Sequence, residues 1–256
     1  MAHCLAVSTN IPYDTIGSEY GATRRTDPRI AAQIEHVLRD AATIVNVGAG
    51  CGSYEPPSRT VVAVEPSSVM LAQRPPDAAP AVQAYAEALP FATGSFDAAM
   101  AILTVHYWSD VPRGLAELRR VARRRIVVVS WDQEARESFW LLREYFPAIA
   151  DLERRRAIQS AEILGALGRG AVSPVPIPAD CMDGFLGGFW RRPEKYLEPQ
   201  VRAGMSAFHE IAPEDRDAGL ERLADDLESG RWTEKFGDLL ALPSLDVGYR
   251  LIHVEL

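Results

Sequence analysis

Ile44-Val45-Asn46-Val47-Gly48-Ala49-Gly50-Cys51-Gly52 is the stretch that decides the fold. Three apolar residues around Asn46 read as a buried strand. Gly48, Gly50 and Gly52 then strip side chains from the turn that follows, so positive φ is open to the backbone and a ligand can approach it closely. A strand feeding such a turn is how an open α/β sheet presents a nucleotide site at a carboxyl strand end. Thirteen residues past Gly52, Glu65 closes a second apolar run, Val61-Val62-Ala63-Val64. A carboxylate there can accept hydrogen bonds from both hydroxyls of a ribose. The glycine spacing is G-x-G-x-G, not the dinucleotide fingerprint G-x-G-x-x-G.

Working outward, Met1 to Asn10 reads as a loose start. Thr26 is expected to cap a helix with Pro28 in its first turn. Ile30, Ile34, Val37 and Leu38 give that helix one apolar face. Beyond Gly52, the segment Ser53 to Arg59 contains Pro56-Pro57 and barely reaches the dozen or so residues that a parallel crossover needs. The spacing predicts an abbreviated crossover, with little helix-dipole contribution at the glycine turn. A helix should follow from Pro66-Ser67-Ser68, a third strand over Ala81 to Tyr85, a fourth over Phe96 to Ile102, a helix from Asp110 and Pro112, and a β-branched central strand over Ile126 to Trp131. This alternation predicts an α/β fold with a doubly wound, mostly parallel sheet. From Ala135 to Leu167 helical periodicity dominates. A proline-broken sixth strand (Val172 to Ile177), a helix over Pro213 to Glu228 and a last strand (Tyr249 to Val254) complete the chain. The expected division is 1–132 as the core that binds a nucleotide-type cofactor. Residues 133–256 form the remainder of the same domain, with helical cap insertions at about 133–170 and 178–248 and the last two strands.

The 256 residues carry a net charge of −8, which disfavours a nucleic-acid surface. The basic run Arg119-Arg120 and Arg123-Arg124-Arg125 reads as a solvated helix face with charge suited to the helix carboxyl end. Cys4, Cys51 and Cys181 have neither disulfide nor metal spacing, and the histidines are scattered, so no metal is expected. Without a signal-peptide pattern or a run of about 18 apolar residues, a cytoplasmic setting without membrane insertion is expected.

Four segments, in this order, resemble the class I S-adenosylmethionine-dependent methyltransferases, closest to the small-molecule branch typified by ubiquinone and menaquinone biosynthesis. They are Val45 to Gly52, Val64-Glu65-Pro66-Ser67, Ala86-Glu87-Ala88-Leu89-Pro90-Phe91, and Ser95-Phe96-Asp97 running into Leu103-Thr104-Val105-His106. The resemblance covers roughly Tyr13 to Trp131. It implies a Rossmann-like, seven-stranded sheet and S-adenosyl-L-methionine as cofactor. Gly48, Ala49, Gly50 and Gly52 would line its methionine part, and Glu65, followed by Pro66, would hold the ribose. The Ala86–Glu87 backbone would face the adenine, and Leu103 would lie beneath the methionine moiety. Arg24 or Arg25 would meet the carboxylate. Tyr13 and Tyr20 read equally as a lid over the cofactor and as anchors of the first helix. The sequence departs from the family at Tyr85, where an adenine-binding Asp is common, and in its short crossover.

Methyl transfer from a sulfonium is an in-line displacement, so alignment and water exclusion carry most of it and a base is needed only if the methyl acceptor must lose a proton. His106, just after the fourth strand, is the candidate catalytic base and substrate contact. Trp108, Phe189 and Trp190 are the candidate substrate wall. Many cap aromatics are expected to form the cap's own core. The long connection Pro178 to Gly248 is expected to leave from the carboxyl edge of the sheet and to cover a small, largely apolar or aromatic acceptor. Two other readings compete. A nicotinamide-dependent oxidoreductase shares the acidic strand end but lacks G-x-G-x-x-G and a Tyr-x-x-x-Lys pair. A non-catalytic cofactor-binding or regulatory protein shares the fold, because fold alone does not fix function.

Overall fold

The computed structural model describes residues 13–17 and 20–256. The loose start expected over Met1 to Asn10 lies outside them. Among the described residues nine strands follow in chain order: β1 (Thr43–Val47), β2 (Thr60–Val64), β3 (Ala81–Val82), β4 (Phe96–Ile102), β5 (Ala122–Trp131), β6 (Gly170–Pro174), β7 (Ile177–Pro178), β8 (Ser244–Leu245) and β9 (Tyr249–Glu255). The main sheet has the order β3-β2-β1-β4-β5-β9-β6, while β7 and β8 form a separate ribbon. β1 to β5 pair in parallel, and β9 runs antiparallel between β5 and β6. The order reverses between β1 and β4, the switch point where open sheets open a crevice at their carboxyl ends. No helix among the described residues is long and apolar enough to cross a membrane.

The sheet is covered on both faces, and its sequence alternates accordingly. Val127 and Val129 of β5 join one core with Ile30, Ile34 and Leu38 of the helix Pro28–Leu38. Ile126 and Val128 join the other with Leu115, Leu118 and Ile163. Ala98, Ala99 and Ala101 of β4 are small and fully buried, so helices approach closely on either side. Each buried Leu, Ile or Val contributes roughly 1.5–3 kcal/mol of transfer free energy.

Several expectations shift. Asp27, not Thr26, caps the first helix: its carboxylate accepts from Arg29 N at 2.9 Å, while Thr26 Oγ1 accepts from Tyr54 N. β3 stops after two residues because its partner β2 ends at Val64. The sixth strand ends at Pro174, since Pro174 and Pro176 carry no N–H for a ladder, and Ile177 moves to the ribbon. Arg123, Arg124 and Arg125 lie in β5 rather than on a helix face, where they pair with Asp97, Asp40 and Glu255. The crossover from β1 to β2 holds no helix. A buried ion pair stands in its place: Arg74 reaches both Glu55 oxygens at 2.8 and 2.9 Å and the Gly50 carbonyl at 3.2 Å.

Candidate functional site

β1 ends in Gly48, Gly50 and Gly52, all at positive φ (72°, 52° and 99°). At Gly48 an added Cβ would fall inside the Thr104 side chain, so nothing larger fits there. Glu65, at the end of β2, is buried, and its two oxygens accept from Gly50 N at 2.8 Å and Ser67 N at 2.9 Å. Burial raises its pKa, opposed by those two amides. Ser67 is also the N-cap of the helix Ser68–Ala72, which fixes the strand end to the helix start. Leu103, after β4, holds φ 55° while its amide donates to Val129 O at 2.8 Å. A left-handed leucine is strained by about 1–3 kcal/mol, and such strain gathers at ligand sites.

These elements surround a cleft lined by Tyr20, Arg24, Gly48, Ala49, Gly50 and Leu103, together with Tyr13, Asn46, Cys51, Tyr54, Met70 and Thr104. Asn46 escaped the sequence reading. It is 1% exposed; its Nδ2 donates to Glu55 at 3.1 Å, and its Oδ1 is enclosed without a partner among the described residues. The one available signal was a polar residue inside an apolar strand. An orphaned acceptor beside bare backbone suits a ligand that carries donors of its own. Ala86 is buried in the sheet's second core. The Glu87 carboxylate is spent on Ser109 and Asp110, where it ties down the start of the next helix, and Pro66 O accepts from Gln83.

A second cavity adjoins the first, with about 620 Å³ of empty space including its mouth. Its floor is Leu103, His106, Tyr107 and Trp131, at the carboxyl ends of β4 and β5. Its roof comes from the helix Pro147–Arg156 (Leu152, Glu153, Arg156), from Phe185 and Leu186, and from Met205, Ser206 and Glu210. The connection from Pro178 to Gly248 therefore does cover this edge. Tyr13, Tyr20, Arg24, Leu103 and Tyr107 line both cavities and form their common wall. Tyr13 meets Tyr20 and Tyr107 edge-on, with ring centroids 5.2 and 5.1 Å apart. Tyr107 donates to Ser206 Oγ at 2.6 Å.

His106 lines the second cavity, partly exposed to it, 4.2 Å from the Trp131 ring by centroid. Its Nδ1 is enclosed and has no partner among the described residues. Burial, then the charges of Arg156 and Arg136, push its pKa well below 6.5, so the imidazole is neutral. Three expected substrate contacts lie elsewhere. Trp108 packs its ring on Gly114, Phe189 packs beside Tyr196 and Arg192, and fully buried Trp190 donates to Ile177 O at 2.8 Å within the cap's own core. None of the three lines either cavity. A bulky apolar ring beside glycines or arginines is as well used by a cap core as by a pocket, and the sequence pattern is the same for both.

Arg24 is held by a partner 159 residues away. Its Nε and second terminal nitrogen reach the Asp183 carboxylate at 2.6 and 3.1 Å, and it also donates to Tyr20 Oη. Asp183, 0% exposed, further accepts from Tyr54 Oη at 2.9 Å and Arg25 N at 3.2 Å. Burial opposes the Arg24 charge, but Asp183 more than offsets it and raises the guanidinium pKa.

The sequence pattern of the methyltransferase domain family matches residues 45–129. A crystal structure of a candidate methyltransferase from an antibiotic biosynthesis pathway of Anabaena variabilis is 33% identical to this chain. It matches 91% of this chain and 99% of its own, with a TM-score of 0.85. Two more distant structures share the fold. One is an S-adenosylmethionine-dependent methyltransferase of Thermotoga maritima, described as a possible histamine N-methyltransferase (15% identity, 95% of this chain and 98% of that one, TM-score 0.54). The other is the [4+2]-cyclase SpnF (16% identity, 95% and 93%, TM-score 0.54). No protein with a curated description matches the sequence.

Proposed function

The chain belongs to the class I S-adenosylmethionine-dependent methyltransferases, and from that premise we propose that it methylates a small, largely apolar or aromatic molecule bound in the cavity beneath residues 178–248. The observation that carries this reading is the common wall of the two cavities, Tyr13, Tyr20, Arg24, Leu103 and Tyr107. A methyl group has to pass from one ligand to the other without meeting bulk water, and adjoining cavities behind one wall allow that. A relative named for an antibiotic pathway is consistent with a small, metabolite-like acceptor.

S-adenosylmethionine supplies a methyl group already activated on sulfur. The chain's own residues do the rest. Glu65 accepts from the ribose hydroxyls, and the turn from Gly48 to Gly50 leaves room for the methionine part. The unpartnered Asn46 Oδ1 accepts from a ligand donor, and Arg24 faces the carboxylate while Asp183 fixes its orientation. Leu103 and Tyr107 separate the two ligands and keep water out. His106, neutral, touches the methyl acceptor and orients it, with proton removal required only if that acceptor carries a proton to lose.

The test is incubation with methyl-labelled S-adenosylmethionine and a panel of small aromatic and apolar compounds bearing oxygen, nitrogen or sulfur. A labelled small-molecule product, lost on substitution of Glu65, is the expected result. Label found only on protein or nucleic acid would refute the reading.

A further inference from the structure

We propose that the methyl acceptor is an oxyanion, a carboxylate or an acidic enol or phenol methylated on oxygen, because Arg156 keeps guanidinium donors free at the cavity wall while both glutamates described there are already engaged. This rests on the methyltransfer reading above and narrows it.

Among the described residues, the charged ones that line the cavity are Arg24, Arg136 and Arg156 against Glu153 and Glu210. Asp183 balances Arg24, yet it lines neither cavity and is fully enclosed by Arg24, Arg25 N and Tyr54. Arg136 is buried and closed on itself: its Nε and a terminal nitrogen each meet a Glu153 oxygen at 2.8 Å. Arg156 differs. Among the described residues its guanidinium has one ionic partner, Glu210, whose Oε2 lies 2.6 Å from a terminal nitrogen. It stands 5.6 Å from the Tyr107 ring centroid, and its side chain stays 30% exposed. Its fork therefore has donors left for a planar anion, the geometry in which arginine binds carboxylates best.

Proton balance points the same way. Glu153 is held by Arg136, and Glu210 is held by Arg156 with Tyr107 Oη 3.4 Å away. Burial weakens His106 as a base, and the charges of Arg156 and Arg136 add to it through their field. A wall without a strong free base suits an acceptor that arrives already deprotonated. The same field disfavours an ammonium, and a protonated amine has no lone pair to give. In the step itself a lone pair of the acceptor oxygen forms the bond to the methyl carbon. The carbon–sulfur bond breaks with its electron pair left on sulfur. The negative oxygen and positive sulfur both become neutral, and no proton moves.

Equilibrium binding tests this without turnover. The protein is first titrated with S-adenosylhomocysteine; absence of binding at that stage would count against the methyltransferase reading itself. The saturated protein is then titrated near pH 7.5 with benzoate, benzyl alcohol and benzylamine, which share one ring. Benzoate is expected to bind at least about tenfold tighter than either of the others, the scale of one good charge-assisted contact. Arg156→Gln should remove most of that preference, and Arg156→Lys should keep part of it. Benzylamine binding as tightly as benzoate overturns the proposal. So do three affinities within about threefold, no binding of any probe, or a preference that survives intact in folded Arg156→Gln.

Discussion

Glu65 is a carboxylate kept in a buried place where ionisation is disfavoured, held there by two backbone amides. Its expected role is to accept from the ribose, so Glu65→Ala or Glu65→Gln should weaken S-adenosylmethionine binding by about 1.5–3 kcal/mol, roughly ten- to a hundredfold. Calorimetric titration of folded variants measures it; unchanged affinity removes Glu65 from the site. His106 carries a pH signature. Its folded-state pKa lies below 6.5, so between the two values the unfolded chain binds a proton that the folded chain does not. Its contribution to stability is present above about pH 6.5 and lost as the pH falls below it. His106→Gln should therefore lose less melting temperature than the parent between about pH 7 and pH 5. Equal losses would show that the imidazole does not titrate in this way. Glu65 and the glycines were legible in the sequence because their chemistry is local: a turn, a strand end, a fixed short spacing. Asn46 and Asp183 were not, because each finds its partner only after folding, and Asp183 meets Arg24 across 159 residues.

At the scale of elements, the glycine turn is more than a flexible link. Gly48 and Gly230 both hold positive φ, but only Gly48 has a neighbour where a Cβ would go. Gly230→Ala should cost about 1–2 kcal/mol for the left-handed backbone alone. Gly48→Ala should cost more than that and abolish cofactor binding, as read by denaturation and titration side by side. Equal destabilisation of the two would show that Thr104 yields easily. The short crossover was legible from its length and from Pro56-Pro57. What replaces the missing helix, the buried Glu55–Arg74 pair tied to Asn46, follows from no local pattern. Strand alternation was legible wherever both faces are buried. It failed at β3 and β6, on the sheet's edges, where a partner's length or a proline sets the end rather than hydrophobicity. The cap's aromatics were legible as a group but not individually: Trp190 went to the cap core, while Phe185 and Leu186, unremarkable in sequence, went to the cavity.

Over the whole molecule, one short segment fastens residues 178–248 to the amino-terminal part of the cleft. Asp180 pairs with Arg29, Met182 N donates to Asp27, Asp183 holds Arg24 and Tyr54, and Gly184 N donates to Thr23 O. The burden is unequal. Asp180 is exposed, so solvent screening leaves its pair with Arg29 little to contribute. Asp183 is enclosed, and its loss leaves the Arg24 charge buried and unpaired, so Asp183→Ala should cost about 3–5 kcal/mol. Urea denaturation of both variants checks the contrast; similar costs would mean that the segment is held by its backbone and not by Asp183. On the proposed reading, the transferred methyl group sits at the wall shared by the two cavities. S-adenosylmethionine labelled with carbon-13 at its methyl group, bound to the protein and observed by isotope-filtered nuclear Overhauser spectroscopy, tests it most directly. The methyl is expected to contact Leu103, Tyr13 and Tyr107. A bound cofactor whose methyl contacts none of these and faces bulk water would contradict it.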